Sequence, residues 1–345
     1  MIELTMFPGQ DGDSLLLEYG TNAAKRRVLV DGGRASSYLL YRTNLTKVPA
    51  PPINLLVVTH IDQDHVLGII EMFRDPGRPK IEEVWFNGYD HLTDNLQSFG
   101  AREGELLTSA LIAEDIPWNR AFDGRAVVVG PKFEALVDQS KIQILSPDRE
   151  ELIRLVPFWE QECAKHGLIP GKAAIPLDIP GFESLGIGMD IDALAATKFA
   201  SDKSVTNATS IAFLFEYEGV RLVFTGDGKD ARLVESLRPL AEREGGRIKI
   251  DALKVAHHGS AGNLSQEFLE LIDCPRYLIS TNGARHGHPD DIAIARILKY
   301  GGKQKELVFN YRSQAKKWDV EKWKEKYEYS VLAPLDSDGF CTLRW

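Results

Sequence analysis

Short apolar runs punctuated by turn residues recur along the chain: SLLLEY at 14–19, RRVLVD at 26–31, NLLVVT at 54–59, EEVWFN at 82–87, AVVVG at 126–130, IQILS at 142–146, SIAFLFEY at 210–217, VRLVFTG at 220–226, ALKVAH at 252–257 and RYLIST at 276–281. Many are continuously apolar rather than alternating, as expected of strands buried on both faces. The N-terminal MIELTMFPGQDGDS reads as a further strand running into a turn. Between the strands, residues 93–116 carry apolar positions at helical spacing with a break near Gly100. Residues 149–167 and 289–300 also predict helices, the last with Pro289 at its start, a position proline tolerates. Residues 170–207 show Gly and Pro clusters with little periodicity and predict a long loop. Loops of that length inside a domain usually carry function or are disordered. No repeat and no linker-like break divides the chain. The pattern predicts one α/β domain over 1–345, with an insertion at about 151–206 and a C-terminal extension at about 299–345.

Composition narrows the class. A chain of 345 residues can bury a substantial core. No apolar run approaches the roughly 20 residues of a membrane span. The first residues lack the basic start and apolar stretch of a secretory leader, so a cytoplasmic location without membrane contact is expected. The three cysteines, Cys163, Cys274 and Cys341, form no C-x-x-C pair. Reduced thiols are expected, and a thiolate zinc site is not. A net charge of −9 argues against a surface coated for nucleic acid, but leaves room for a local basic groove.

The candidate chemistry falls at strand ends, where α/β sheets collect ligands. THIDQDH at 59–65 follows an apolar run. Its alternate residues His60, Asp62 and Asp64 can converge in a tight turn, with His65 beside Asp64, and so serve two adjacent metal ions. The competing reading is an Asp-rich turn in which Asp64 caps the next helix. Asp227 ends another strand in TGD; alone it is common turn chemistry, but a carboxylate bridging two cations is what a binuclear site needs. His257 and His258 end a third strand. Adjacent residues of a continuing strand point to opposite sides, so one of the two is expected to ligate. His286 and His288 stand ahead of a predicted helix start, where either could protonate a leaving group. Asp13 is a weaker candidate behind the site. Asp31, in VDGG, reads as a turn, and His91 and His166 read as structural.

Taken together, these motifs resemble the metallo-β-lactamase superfamily, and more specifically the soluble hydrolase domain of ComEC-type competence proteins, here without the membrane channel. That group shows V-G-Q-G-D, I-D-G-G, T-H-x-D-x-D-H, L-S-P, N-x-x-S before an aliphatic residue, T-G-D, L-K-V-x-H-H-G-S and G-H-P in order. The corresponding stretches are Pro8–Asp13, Val30–Gly33, Thr59–Gly68, Leu145–Pro147, Asn207–Ile211, Thr225–Asp227, Leu253–Ser260 and Gly287–Pro289. The resemblance implies an αββα sandwich of two mixed β-sheets flanked by helices. It implies His60, Asp62 and Asp227 around one metal, and Asp64, His65, Asp227 and one of His257 or His258 around the other. A further family histidine is missing; Asn207, or Thr209, stands in its stretch. Asp62 and Asn207 in place of histidines would make the first site oxygen-rich, favouring Mn²⁺ or Mg²⁺ over Zn²⁺.

The resulting expectation is a hydrolase using two divalent metal ions, Mn²⁺ or Zn²⁺ with Mg²⁺ possible. Its activity would be that of a phosphodiesterase or nuclease on DNA, RNA or another phosphodiester, with Asp64, His286 and His288 as catalytic groups. Residues 299–327 hold nine Lys/Arg against four Asp/Glu, interleaved with Tyr300, Phe309, Tyr311, Trp318, Trp323 and Tyr327. Aromatics among basic residues suit single-stranded nucleic acid; the plainer reading is an amphipathic helix with its aromatics docked on the core. The alternative function is a small-molecule metallohydrolase acting on a lactone, phosphate ester or cyclic nucleotide, with the insertion as a lid. A third is a non-catalytic binding module.

Overall fold

Within the strand Leu55–Val57, Leu55 and Val57 enter one apolar cluster while Leu56 enters another. Val223, between Leu222 and Phe224, and Leu278, between Tyr277 and Ile279, divide in the same way. Side chains alternate across a strand, so a continuously apolar run must be covered on both faces. That requirement produces the layers seen here.

The structure is a computed structural model describing residues 1–21, 24–46, 51–92, 102–130, 140–165, 189–335 and 339–345. In chain order the strands are β1 (Ile2–Met6), β2 (Leu15–Thr21), β3 (Ala24–Val30), β4 (Leu55–Val57), β5 (Val84–Trp85), β6 (Lys141–Ser146), β7 (Ala212–Tyr217) and β8 (Val220–Phe224). They continue with β9 (Ile248–Lys249), β10 (Ala252–Lys254), β11 (Ile272–Asp273), β12 (Arg276–Ile279), β13 (Lys305–Phe309), β14 (Tyr329–Leu332) and β15 (Cys341–Arg344). One six-stranded sheet runs β15-β1-β2-β3-β4-β5, one seven-stranded sheet runs β14-β13-β12-β10-β8-β7-β6, and β9 pairs with β11 apart from both.

Leu17, Val28, Leu55 and Val57 of the first sheet share a core with Phe213, Phe215, Leu222, Leu278 and Val308 of the second. The first sheet's outer face, with Leu29 and Leu56, is covered by α1 (Ala35–Leu45), α2 (Gln63–Arg74), α3 (Tyr89–Leu92), α4 (Arg102–Ala113) and α5 (Arg149–Lys165). The second sheet's outer face is covered by α6 (Ile191–Ala195), α8 (Asp230–Arg243), α9 (Gln266–Leu271), α10 (Asp291–Tyr300), α11 (Arg312–Ala315) and α12 (Glu321–Tyr327), while α7 (Val205–Ala208) leads into β7. This is an αββα sandwich: two mixed sheets packed face to face, with helices on both outer faces. β3, β4 and β5 are mutually parallel, as are β8, β10, β12, β13 and β14.

Several expectations need correction. AVVVG forms no strand; instead Val127 donates its N–H to Asn87 Oδ1 at 2.8 Å and accepts from Asn87 Nδ2 at 2.9 Å, a side-chain amide replacing a ladder partner. The helix expected from Pro289 begins at Asp291 with Asp290 as its N-cap residue. The segment from 299 onward is not an appendage: β13 and β14 extend the second sheet, and β15 pairs with β1 in the first. Phe309, Trp318 and Tyr329 lie in the core, with Tyr300, Trp323 and Tyr327 packed against it. These aromatics therefore pack the fold rather than form an open stacking face. Of the expected loop, residues 170–188 lie outside the described residues, and the remainder carries α6 and α7.

Candidate metal centre

Four histidines meet beyond the carboxyl ends of β4, β8 and β10, and each is anchored through Nδ1. Thr59 Oγ1 donates to Asp31 Oδ2 at 2.7 Å, so it accepts from His60 Nδ1 at 3.0 Å. His65 Nδ1 donates to the same Asp31 oxygen at 2.8 Å. His258 Nδ1 donates to the Ser280 carbonyl at 2.9 Å. Asn263 Nδ2 is committed to the Asp227 carbonyl at 3.1 Å, so its Oδ1 accepts from His257 Nδ1 at 3.0 Å. An imidazole held through Nδ1–H presents Nε2 as its ligand atom, with its orientation fixed by the outer partner.

All four Nε2 atoms converge on Asp227, and they divide between its two oxygens. His60 and His257 face Oδ2 at 3.8 and 3.6 Å, while His65 and His258 face Oδ1 at 3.4 and 3.6 Å. Asp62 Oδ2 lies 3.6 Å from His60 Nε2, and Asp64 Oδ2 lies 3.6 Å from His258 Nε2. These spacings are long for hydrogen bonds. They fit atoms sharing one ion: tetrahedral bonds of about 2.1 Å place ligand atoms about 3.4 Å apart. The Nε2 atoms of His60, His65 and His258 and Asp227 Oδ1 are buried without a hydrogen-bond partner. Buried polar atoms are rarely left so, and a pair of divalent cations would satisfy them. The residues present therefore fit a metal centre: ligand atoms of His60, His65 and Asp227 gather in one group and those of Asp64, His65 and His258 in another, with Asp62 beside His60 and His257 beside Asp227 Oδ2.

The electrostatics agree. Burial opposes ionisation of Asp227, but the charges of His65, His257 and His258 outweigh it and hold the carboxyl well below its usual range. Burial likewise works against a charge on His65, and Asp227 and Asp31 override it, raising this histidine well above its ordinary value. His258 is raised to about 10 by Asp227 and Asp13 against its burial. Burial lowers His257 despite Asp227.

Local sequence explains the turns. Asp62 is the N-cap residue of α2 and makes no side-chain cap bond; its Oδ2 accepts from Thr206 Oγ1 at 3.0 Å. Asp64 lies inside the first turn, so neither aspartate caps the helix through its side chain. A Cβ on Gly12 would fall 1.7 Å from the Asp64 carbonyl oxygen, and one on Gly68 would fall 1.9 Å from that of Gly32. The Gly-rich loop before β2 and the Gly32–Gly33 turn therefore press directly against the metal-facing turn.

The structure changes three expectations for the site. His257 and His258 do not continue β10 but turn through φ of 47° and 55°, so both rings face Asp227. The first metal position, expected to be oxygen-rich, also has the His257 ring turned toward it: His257 Nε2 lies 3.6 Å from the same Asp227 Oδ2 that faces His60. Asp31 is fully buried behind the ligands and orients His65. The sign available in the sequence was a carboxylate ending a strand beside the one that ends at His60.

The remaining candidates lie around this centre. Asp13 is held at about 2, burial being overcome by Lys254 and His258; its Oδ2 lies 2.7 Å from Lys254 Nζ and its Oδ1 3.3 Å from His258 Nδ1. Asn207 supports the other side, donating to Asp202 Oδ2 at 2.7 Å and lying 3.3 Å from His257 Nδ1. Thr209 turns inward to the Thr206 carbonyl at 2.7 Å. His288 sits at the rim, its ring 5.0 Å from that of His257, with Nδ1 3.2 Å from Asp290 Oδ1. His286 is exposed and stacks on His288 at 6.0 Å. The helix start expected beside them belongs to Asp290 and Asp291, whose carboxylates disfavour a bound anion there. His91 packs edge-on against Trp118 at 4.5 Å, and His166 lies outside the described residues. A cavity of about 270 Å³ opens beside Asp62 and Asp64, walled by Arg34, Arg102, Phe158, Thr206 and Arg285 among others.

No protein-family model and no curated protein matches the chain. Among solved structures it is similar to zinc-bound PqqB from Methylobacterium extorquens, at 11% identity and a TM-score of 0.43, over 99% of this chain and 100% of that one. It is similar to the metallo-β-lactamase fold protein YhfI from Bacillus subtilis at 12% identity and 0.40, over 99% of each. CmlA, a diiron β-hydroxylase from Streptomyces venezuelae, aligns at 12% identity and 0.41 over 99% of this chain; the chain spans about half of that protein, at 54%. No helix among the described residues is long and apolar enough to cross a membrane.

Proposed function

We propose that the protein is a binuclear metal-dependent hydrolase acting on phosphodiesters. The observation that carries this reading is the division of Asp227: each carboxylate oxygen faces two inward Nε2 atoms. Divalent ions held by these residues would supply Lewis-acid chemistry, polarisation of a phosphoryl oxygen and a lowered pKa of water toward about 7. Asp62, Asp64 and Asp227 bring three negative charges to two dications, leaving one positive charge for an anionic substrate. The four Nδ1 anchors hold the rings so that little reorganisation accompanies reaction. His288, with Nδ1 engaged by Asp290, has Nε2 left to carry a proton to the departing oxygen.

Within this class, the geometry favours a small diester over a nucleic-acid strand. The basic C-terminal segment spends Trp318 and Trp323 on the core, and the cavity beside the carboxylates is at the small end of ligand sites. The deciding experiment crosses Mn²⁺, Zn²⁺ and Mg²⁺ with bis-p-nitrophenyl phosphate, cyclic nucleotides, DNA and RNA. Turnover of a diester that Asp64→Ala abolishes supports the reading. Absence of diester hydrolysis with every metal overturns it.

A further inference from the structure

The cavity beside the metal-facing carboxylates holds three arginines whose situations differ. Arg34 is neutralised: its Nε donates to both Asp11 oxygens at 2.9 and 3.2 Å, and Nη1 reaches Gln63 Oε1 at 3.3 Å. Arg285 is exposed and also engaged by its surroundings. Arg102, the first residue of α4, is only 8% exposed, and its Nη2 is buried without a hydrogen-bond partner. The nearest acid in sequence, Glu103, is occupied by Gln63 Nε2 at 3.1 Å. The other acids of the wall, Asp62 and Asp64, face the histidines.

A guanidinium stays charged at any physiological pH, and burying a charge without a counter-charge is costly. Among the described residues, no hydrogen bond or ion pair holds the Arg102 Nη2. Arg102 lines the cavity, so an anion entering it would bring a counter-charge to this guanidinium. Phe158, 37% exposed on the same wall, offers an apolar face to whatever carries that anion.

We infer that this cavity receives a second anionic group of the substrate, a phosphate or carboxylate separate from the scissile diester, and that Arg102 is its selector. The substrate is then a small diester carrying a terminal acidic group next to a ring or apolar portion. The inference rests on the hydrolase reading for its place in catalysis, but not for binding.

The test compares thymidine 3′-(p-nitrophenyl phosphate) with and without a 5′-phosphate, and the p-nitrophenyl phosphodiester of glycolate for the carboxylate case. The wild-type protein should prefer one of the doubly anionic esters by about 10- to 100-fold in kcat/KM, the scale of a charge-assisted hydrogen bond. Arg102→Ala should bring that ratio close to one, and Arg102→Lys, which keeps charge but loses the planar fork, should restore part of it. A ratio near one in the wild type, or one unmoved by Arg102→Ala, overturns the inference. Calorimetric binding of thymidine 3′,5′-bisphosphate to metal-free protein separates the two claims. Binding by the wild type that Arg102→Ala weakens tenfold or more supports the selector even if no diester is hydrolysed; equal binding by the two proteins, or absent binding together with a wild-type ratio near one for both doubly anionic esters, overturns it. Thermal melts of Arg102→Lys and Arg102→Ala identify any loss due to unfolding.

Discussion

His65 donates its Nδ1 proton to Asp31 Oδ2 across 2.8 Å, with both side chains shut off from solvent. The same carboxylate accepts from the Thr59 amide at 2.8 Å and the Thr59 hydroxyl at 2.7 Å, and that hydroxyl in turn holds His60. One aspartate thus fixes an imidazole on each side of Asp227. Asp31→Asn preserves shape and tolerates the residue's φ of 57°, but its amide cannot act as a charged acceptor for His65. Metal affinity should fall by about 10- to 100-fold, measured by competition with a chromophoric chelator, while thermal unfolding of the metal-free protein confirms that the variant folds.

The split of Asp227 predicts an unequal metal stoichiometry among variants. Asp62→Ala should weaken the position shared with His60 and His257, and Asp64→Ala the position shared with His65 and His258. Each should retain about one ion per chain where the wild type retains two, and Asp227→Ala should lose both. Elemental analysis after gel filtration reads this directly. Equal losses in all three variants would contradict the bridging role.

How much of this was legible beforehand depended on whether residue type or backbone path carried the information. The His60–His65 turn was legible because four candidate ligands, two histidines and two aspartates, ended a run whose burial on both faces required a strand. Two inward imidazoles at His257 and His258 were not, because a strand sends neighbours to opposite sides; only the positive φ at both residues brings them together, and histidine does not advertise that conformation. Asp31 was hidden because an aspartate before two glycines reads equally well as a turn. The closing strands were hidden by length and charge: β15 alternates over only four residues, and Lys305 of β13 is buried only because its Nζ reaches the Gly302 and Tyr327 carbonyls at 2.6 and 2.8 Å.

The docked aromatics of the C-terminal segment give a stability prediction. Trp318 is 1% exposed in the second sheet's outer core, and its carbonyl accepts from the Tyr329 hydroxyl at 2.7 Å. Trp318→Ala should cost about 3–5 kcal/mol, read as a lower denaturant midpoint with the slope unchanged. A surface aromatic serving only as a stacking platform would leave that midpoint within about 0.5 kcal/mol.

Asp62 bears on metal choice. The Asp62→His variant would place a third imidazole beside His60 and His257 and remove a carboxylate, so zinc should gain over manganese at that position. Paired competition titrations on the wild type and variant give the ratio directly; an unchanged zinc-to-manganese preference would show that Asp62 does not set it.

Proton linkage tests the whole arrangement. Without a cation, Asp227 and its neighbouring carboxylates overcome burial and raise His65 well above its usual value and His258 to about 10. A metal needs the Nε2 lone pairs, so loading at pH 7 must expel the protons. Calorimetry in buffers of different ionisation enthalpy should find close to two protons released per chain, with affinity climbing as pH rises toward 10. Stability of the metal-free chain should move the other way. A raised histidine stabilises fully below its unfolded value of about 6.5, and that contribution fades as pH rises through the folded value. Asp227, lowered well below its usual range, adds stability above about pH 4 that is lost on acidification. The metal-free melting temperature should therefore peak between about pH 4 and 6.5 and decline toward pH 10. The loaded protein, whose imidazoles carry no such protons, should keep its melting temperature across that upper range.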